Sequence, residues 1–361
     1  VTRQVERTGR TRGAARDALT SYLVERTTPS VDAITGESLV RDVAAVWMEE
    51  RTDLVDNTRR RYRELLADHI GPAVGSLRVR EATVTRLDRF LKNVTADTGA
   101  PTAKLCLSVL SGVMGLAVRH GAAATNPLRD VAPVVVESKE VRAMTFEEVT
   151  TVRAAVSAYV EGRPIVPDEV VRKGRSRAVD LLDIVDVMLA TGVRIGEVLA
   201  IRWCDVDLEA GTVTVCGTVI LSDTKPAKYV RQPFTKGKKP QTYLLPGFGI
   251  EALMRRRVAM THANTEDLVF PSQAGTVRDP GNVRATYKRV FGKVGLDWVT
   301  PHTFRKTVAT VVEREADLRT ASQQMNHGSE VVTKRHYVAR PTMGPDTRHI
   351  TSRFVPQSSN E

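Results

Sequence analysis

The chain has 361 residues, which at about 100–200 residues per domain makes two or three domains the expectation. Lys and Arg number 53 against 42 Asp and Glu, for a net charge of +11, and apolar residues make up 42% of the chain. That mixture excludes a largely disordered polymer. No uninterrupted apolar run approaches the roughly 18 residues of a membrane helix, and the basic opening VTRQVERTGRTR lacks the apolar stretch of a signal peptide. The three cysteines (Cys106, Cys204, Cys216) stand far apart without CxxC spacing. They exclude a disulfide framework, give no zinc pattern and fit a reducing cytoplasm. The basic excess suits a polyanion, either nucleic acid or an anionic membrane surface, and composition does not choose between them.

In chain order, residues 1–37 form a basic segment in which Arg3, Arg7, Arg10, Arg12 and Arg16 face only Glu6 and Asp17. A helix is expected over Ala14–Glu25, then a linker with Pro29 and Gly36. Residues 38–133 read as a helical domain. Its first helix places Leu39, Val43, Val46 and Trp47 inward. The second starts near Thr58, turns Tyr62, Leu65, Leu66 and Ile70 inward, and stops at Gly71-Pro72. Leu87, Phe90, Leu91 and Val94 mark a third helix. A fourth runs from about Thr102 to Arg119, before Gly121 and Asn126-Pro127. Residues 134–141 (VVVESKEV) lack helical period and read as an interdomain linker.

The second domain spans 142–340, and Thr145-x-x-Glu148 is a capping box that opens its first helix. Asp180–Ala190 reads as an apolar core helix, followed by TGVRIGE and a short helix through Ile201. Gly211–Thr218 alternates Val213 and Val215 and reads as one strand, and Tyr243–Leu245 as another. The polar segment Ser222–Pro240 is then a Lys-rich hairpin region joining the two. Asn282 to Tyr337 is mainly helical, and 341–361 is a polar tail.

Five places hold groups able to do chemistry. Arg194 lies between a helix end and a helix start in TGVRIGE. Lys236 lies in TKGKK. His302 and Arg305, spaced i, i+3 in PHTFR, leave one helical turn near its positive end, with Thr300 as N-cap and Pro301 at N1. His327 follows QMN, and Tyr337 lies in KRHYVAR. Each has an ordinary explanation: a surface arginine, a flexible lysine loop, a cap, a helix-end histidine, a packing tyrosine. Together they supply cationic and hydrogen-bonding groups for a phosphate. No carboxylate cluster of the two-metal type and no GxxxxGK[ST] motif accompanies them.

In this order and at these separations, ATGVRIGEVLAIRWCDVDL (190–208), the lysine of TK at 235–236, HTFR (302–305), NHGSEVVTKRHY (326–337) and Asn126-Pro127 resemble the tyrosine recombinases of the phage integrase family. The resemblance covers nearly the whole chain. It implies a mainly α fold with a small antiparallel β-sheet in the C-terminal domain: a helical, SAM-like core-binding domain plus a mixed α/β catalytic domain, forming a C-shaped clamp on DNA. Residue by residue, Arg194 matches the first catalytic arginine, Lys236 the hairpin lysine, His302 and Arg305 the H-x-x-R pair, His327 the His or Trp position, and Tyr337 the nucleophile. Glu197 matches the supporting acidic position. Two departures stand out: Asn326 replaces the Gly of the family's LGH, and His327 and Tyr337 are ten positions apart. The lysine loop also lacks the Ser and Arg that often follow the lysine, and Lys238 and Lys239 sit close by.

The resemblance further implies strand cleavage through a 3′-phosphotyrosine without metal, ATP or any cofactor. It implies core-type attachment sites on double-stranded DNA, a homotetramer on the synapse and a Holliday junction, with a DNA-bending host factor and an excisionase as partners and no membrane. Arg59, Arg60, Arg61, Arg63, Lys225, Lys238 and Lys239 are the expected DNA contacts. The amino-terminal stretch resembles the linker helix that follows an arm-binding domain in phage and conjugative-element integrases, so an integrating or excising enzyme lacking that domain is the leading expectation. A chromosome or plasmid resolvase, a type IB topoisomerase, a non-catalytic DNA-binding regulator and a hydrolytic phosphodiesterase are the alternatives. A tyrosine titrates near pH 10, so its phenolate is roughly 4 kcal/mol uphill at pH 7. His302 as base, or the field of the cations, would have to lower that cost.

Overall fold

The structure is a computed structural model and describes residues 6–27, 34–137, 140–171, 178–224, 226–235, 239–260, 264–326 and 329–338. The chain divides into two units, Val1–Ser138 and Lys139–Glu361, so the division falls within the 134–141 stretch. Among the calls on the functional groups, Lys225, Lys236, Lys238 and His327 lie outside the described residues, as does the 341–361 tail.

Among the described residues the first unit is built from helices, with an isolated β-bridge between Leu39 and Arg78. It runs α1 (Arg12–Thr27), α2 (Val40–Glu50), α3 (Asp56–Leu65), α4 (Gly71–Val74), α5 (Val84–Thr98) and α6 (Ala100–Arg119). Its core gathers Val43 and Trp47 of α2, Leu87, Phe90 and Leu91 of α5, and Cys106, Leu110 and Met114 of α6. Helix α6 is long and apolar enough to cross a bilayer by length and composition. Its buried residues from Ala103 to Ala117 instead line the core of this unit. Trp47 stacks on Tyr62 at 5.8 Å between ring centroids. Val46, expected inward, is exposed on α2.

Gly71-Pro72 does not stop the second helix as the sequence suggests. The five residues Leu66–Ile70 form a π-helical turn between α3 and α4. There the Gly71 N–H reaches back to the Leu66 carbonyl, and Pro72 falls in the first turn of α4, where a missing N–H costs little.

The second unit begins with α7 (Phe146–Glu161), opened by the Thr145/Glu148 capping box in which each side chain takes the other's backbone N–H. It continues through α8 (Leu181–Thr191) and α9 (Ile195–Val198), and α9 is shorter than the sequence suggests. Short strands follow, five among the described residues: β1 (Val206–Asp207), β2 (Thr212–Val215), β3 (Thr218–Leu221), β4 (Tyr229–Gln232) and β5 (Gln241–Leu244). Then come α10 (Gly247–Ala259), α11 (Pro280–Lys293), α12 (Pro301–Glu315), α13 (Leu318–Gln324) and α14 (Glu330–His336). The core centres on α8 and an aromatic cluster of α11 and α12, in which Tyr287 stacks on Phe291 and Phe304 meets both rings edge-on.

The single strand expected over Gly211–Thr218 is two strands in two sheets. β2 pairs antiparallel with β1 and β5, while β3 pairs with β4. The chain turns between them at Cys216-Gly217. A Cβ on Gly217 would sit 2.8 Å from the Arg231 guanidinium carbon, so a side chain there would push Arg231 off the Ala200 carbonyl it holds. The segment Ser222–Pro240 is accordingly not one hairpin region. It contains β4, and the lysine loop lies between β4 and β5.

Asp180, the N-cap of α8, and Asp183 and Asp186 within it are buried. Arg278 grips Asp180 through two hydrogen bonds, Arg255 bridges Asp183 and Asp186, and Arg153 binds Asp186. Burial pushes the Asp183 carboxyl up to about 6 despite Arg255.

Candidate active site

The segment from α8 to α9 sets the first arginine. Gly192 closes α8 in the left-handed region, with φ of 74°, and a Cβ there would meet the Met325 methyl at 2.4 Å. Glycine is therefore needed twice, for its φ and for close approach. Two residues on, Arg194 is the N-cap of α9, and the Glu197 carboxylate accepts from both its backbone and its side chain. Glu197 Oε2 accepts the Arg194 backbone N–H at 2.9 Å, and Oε1 accepts its guanidinium at 2.9 Å. The buried Glu197 thus aims a partly exposed Arg194 side chain, which is also hydrogen-bonded to the Tyr337 side chain. Burial opposes the Arg194 charge, but Glu197 and the Tyr337 phenol outweigh it and raise the guanidinium above its ordinary value.

Helix α12 supplies the HTFR pair. Thr300 caps it together with Thr303, and Pro301 opens it, as its sequence indicates. The two side chains then part ways. Arg305 is 1% exposed. Its Nη1 donates to the Gly192 carbonyl at 2.8 Å and its Nη2 to the Met325 carbonyl. Its guanidinium carbon lies 5.3 Å from the centre of the Tyr337 ring. Burial and the nearby Arg194 lower its pKa. His302 faces outward, with its ring centroid 5.2 Å from that of Tyr337 in an edge-to-face arrangement. The residue is exposed as a whole, yet desolvation by the packing around the imidazole lowers its pKa to about 4, aided by Lys306, Arg305 and Arg194. The imidazole is neutral at pH 7 and able to accept a proton.

Tyr337 ends α14 and is 9% exposed. Its backbone carbonyl accepts from Thr310 Oγ1 of α12 at 3.2 Å, and the ring packs on Ala309 and Met325. The four described residues of the proposed set other than Glu197 therefore meet: Arg194, His302 and Arg305 each contact the Tyr337 side chain. Among the described residues, no group of three or more His, Cys, Asp or Glu side chains is placed to hold a metal ion.

Tyr243 escapes a motif-based reading. Burial pushes this β5 phenol up to about 12, and the charges of Arg305, Glu197 and Arg194 all act on it. The only sequence signal is an aromatic side chain at the inward position of a short strand.

The expected DNA contacts of α3 have partners within the protein. Arg60 and Arg61 bind Glu64, at 2.6 and 3.2 Å, and Arg59 donates to the Arg51 carbonyl. Lys239 is exposed at the foot of the lysine loop.

Residues 169–342 match the phage integrase family and residues 40–133 the phage integrase central domain. The chain is 26% identical over 261 residues to a XerC-like tyrosine recombinase of Caldanaerobacter subterraneus subsp. tengcongensis, covering 65% of this chain and 61% of that protein. It is 26% identical over 284 residues to the tyrosine recombinase XerC of Xanthomonas campestris pv. campestris, covering 76% of each. Among solved structures, the Tn1549 transposon integrase in complex with transposon right end DNA superposes with a TM-score of 0.71 at 15% identity, over 88% of this chain and 99% of that one. The lambda integrase tetramer bound to a Holliday junction superposes with a TM-score of 0.63 at 16% identity, over 94% and 90%. With both family domains matched in order and the fold shared, the chain belongs to the phage integrase family of tyrosine recombinases.

Proposed function

We propose that this protein is a site-specific DNA recombinase that integrates or excises a mobile element, with Tyr337 as the nucleophile. The observation that carries the proposal is the meeting of Arg194, Arg305 and His302 on one tyrosine ring. A pure DNA binder has no need of that arrangement.

In the proposed reaction, Tyr337 Oη attacks the scissile phosphorus, forming a 3′-phosphotyrosine while the P–O5′ bond breaks. Neutral His302 takes the phenol proton. Arg194 and Arg305 offer planar donors to the non-bridging oxygens, where negative charge grows in the pentacoordinate transition state. Removing one such preorganised donor typically costs about 10²–10³ in rate. His327 adds a further donor, and Lys236 delivers a proton to the leaving 5′-oxygen. The bond energy stays in the protein–DNA ester, so resealing to a new 5′-hydroxyl uses no ATP. The arginines and the lysine supply the charge that a metal supplies elsewhere, so EDTA leaves the reaction intact. Two such exchanges through a Holliday junction, on a homotetramer, complete recombination. Phosphate contacts dominate DNA affinity, and log K falls with log salt by about 0.9 per phosphate neutralised. Arg59, Arg60, Arg61, Arg63, Lys225, Lys238 and Lys239 join the catalytic cations as proposed contacts.

A second reading, chromosome or plasmid resolution, draws on the kinship with XerC. The two differ in whether paired sites on one circle or sites on separate molecules recombine.

The test is incubation in EDTA with nicked duplexes made from the element's own ends. A denaturant-resistant protein–DNA band that Tyr337→Phe lacks supports the proposal. Retarded DNA with no covalent band, at a demonstrated site, replaces it with the binding reading.

A further inference from the structure

We propose that Cys216 and Cys204 form a peroxide-sensitive thiol pair, and that joining them as a disulfide slows DNA cleavage. The pair stands on its own geometry, whereas its effect on cleavage rests on the recombinase reading above.

The β1–β2 ladder brings the two thiols together. Val206 pairs with Val213 in antiparallel register. Cys204, two residues before β1, and Cys216, one residue after β2, therefore leave the same end of the ladder. Both thiols reach one carboxylate oxygen, Asp205 Oδ1, from Cys216 Sγ at 3.5 Å and from Cys204 Sγ at 3.9 Å. Two arginines surround this group. Arg202 donates to Asp205 through Nε and Nη2, at 3.1 and 3.0 Å. Arg231 Nη2 lies 3.6 Å from Asp205 Oδ2 and donates to the Cys216 sulfur at 3.2 Å. Two guanidinium groups against one carboxylate leave a positive charge beside the sulfurs. Cys204 is exposed and Cys216 half-buried. Electropositive, partly exposed surroundings of this kind are those in which cysteines react. Cys106 is the contrast: it lies fully buried in the core of the first unit, and burial pushes its thiol up to about 11.

With hydrogen peroxide as oxidant, the deprotonated Cys216 sulfur attacks one peroxide oxygen. An S–O bond forms, the O–O bond breaks, and the departing hydroxide takes up a proton to leave as water. The Cys204 sulfur then attacks the Cys216 sulfenic acid. The S–S bond forms, the S–O bond breaks, and a second water carries off the Cys204 proton. The two thiols lose two electrons and the peroxide gains them.

The bond would act on the turn that aims Arg194. Cys216 and Gly217 join β2 to β3, and β3 packs directly on α9. A Cβ on Gly196 would meet Thr218 Oγ1 at 2.9 Å and the Val219 carbonyl oxygen at 3.2 Å. Arg231 Nε also holds the Ala200 carbonyl at 2.8 Å, two residues past α9. Drawing the Cys216 sulfur away from Arg231 toward Cys204 disturbs both supports of α9. We expect the oxidised protein to cleave about 10- to 100-fold more slowly, the scale of a small misplacement of a catalytic group, and to recover in dithiothreitol.

The test treats the full chain with hydrogen peroxide, maps its peptides by mass spectrometry without reduction, and measures single-turnover cleavage before and after. A Cys204–Cys216 disulfide, with a loss of cleavage that dithiothreitol reverses, supports the proposal. In Cys204→Ser the sulfenic acid lacks its partner, and dimedone should label Cys216. Cys216→Ser should cleave equally well with and without peroxide. Both thiols still open to alkylation after peroxide, a disulfide that leaves cleavage unchanged, or an equal loss of cleavage in Cys216→Ser would overturn the proposal. A failure of the recombinase reading looks different: the disulfide would form, but the untreated protein would give no Tyr337-dependent adduct.

Discussion

Arg305 is placed to do two jobs, and its replacement should reveal both. The side chain is 1% exposed and spans the Gly192 and Met325 carbonyls. Hydrogen bonds from a charged donor are worth about 1.5–3 kcal/mol each, so losing two puts about 3–6 kcal/mol at stake. The contact with the Tyr337 ring adds about 1 kcal/mol. Against this stand the burial of the charge and its repulsion by Arg194, which already lower the Arg305 pKa. We expect a net loss of about 2–4 kcal/mol for Arg305→Ala, since two buried carbonyls are left without a donor. For a unit of about 200 residues, that is a fall in Tm of roughly 5–15 °C. Arg305→Lys reaches one carbonyl at most and should lose about half as much. Differential scanning fluorimetry beside single-turnover cleavage is the assay. Both variants should lose cleavage along with thermal stability, whereas Tyr337→Phe loses cleavage alone. An Arg305→Ala protein melting with the unmodified chain would refute the bridging role.

Three further outcomes follow from the geometry. His302 is held neutral with a pKa of about 4, so kcat/KM should fall on the acid side only as pH drops through about 4; an acid limb between pH 6 and 7 would contradict this. Its folded pKa lies below its unfolded value, so the stability linked to neutral His302 is present above the unfolded pKa of about 6.5 and lost as pH falls toward the folded one. Asp183 has its carboxyl raised to about 6, which makes the folded state less stable as pH rises from about 4 to 6 and leaves a cost of about 3 kcal/mol above that. Asp183→Asn should therefore match or exceed the unmodified protein in urea at pH 7, and the gap should close near pH 4. Gly192→Ala should cost about 1–3 kcal/mol by strain at positive φ and contact with Met325, and should slow cleavage by shifting the carbonyl that Arg305 holds.

Much of this was legible in the sequence because it depends on local rules. The Thr145/Glu148 box, the Thr300-Pro301 start of α12 and the apolar stripe of α8 are set within one or two turns of chain. Other features depend on partners far away. Nothing in HTFR says that Arg305 turns inward, because its acceptors lie on Gly192 and Met325. The β3–β4 hairpin was hidden because YVRQ is short, polar and half-exposed, so alternation gave no signal. The π-helical turn before Gly71-Pro72 converts a stop signal into a continuation, and no local pattern announces it. Tyr243 comes within the field of the arginine pair through long-range pairing, since the β2–β5 register places its strand beside β2.

The most direct test of the central claim is to find the atom that carries the DNA. The trapped adduct, digested with nuclease and trypsin, should yield by mass spectrometry a nucleotide attached through phosphate to the peptide containing Tyr337, whether or not EDTA is present. Attachment to another residue, or cleavage that leaves no attached nucleotide, would contradict the account.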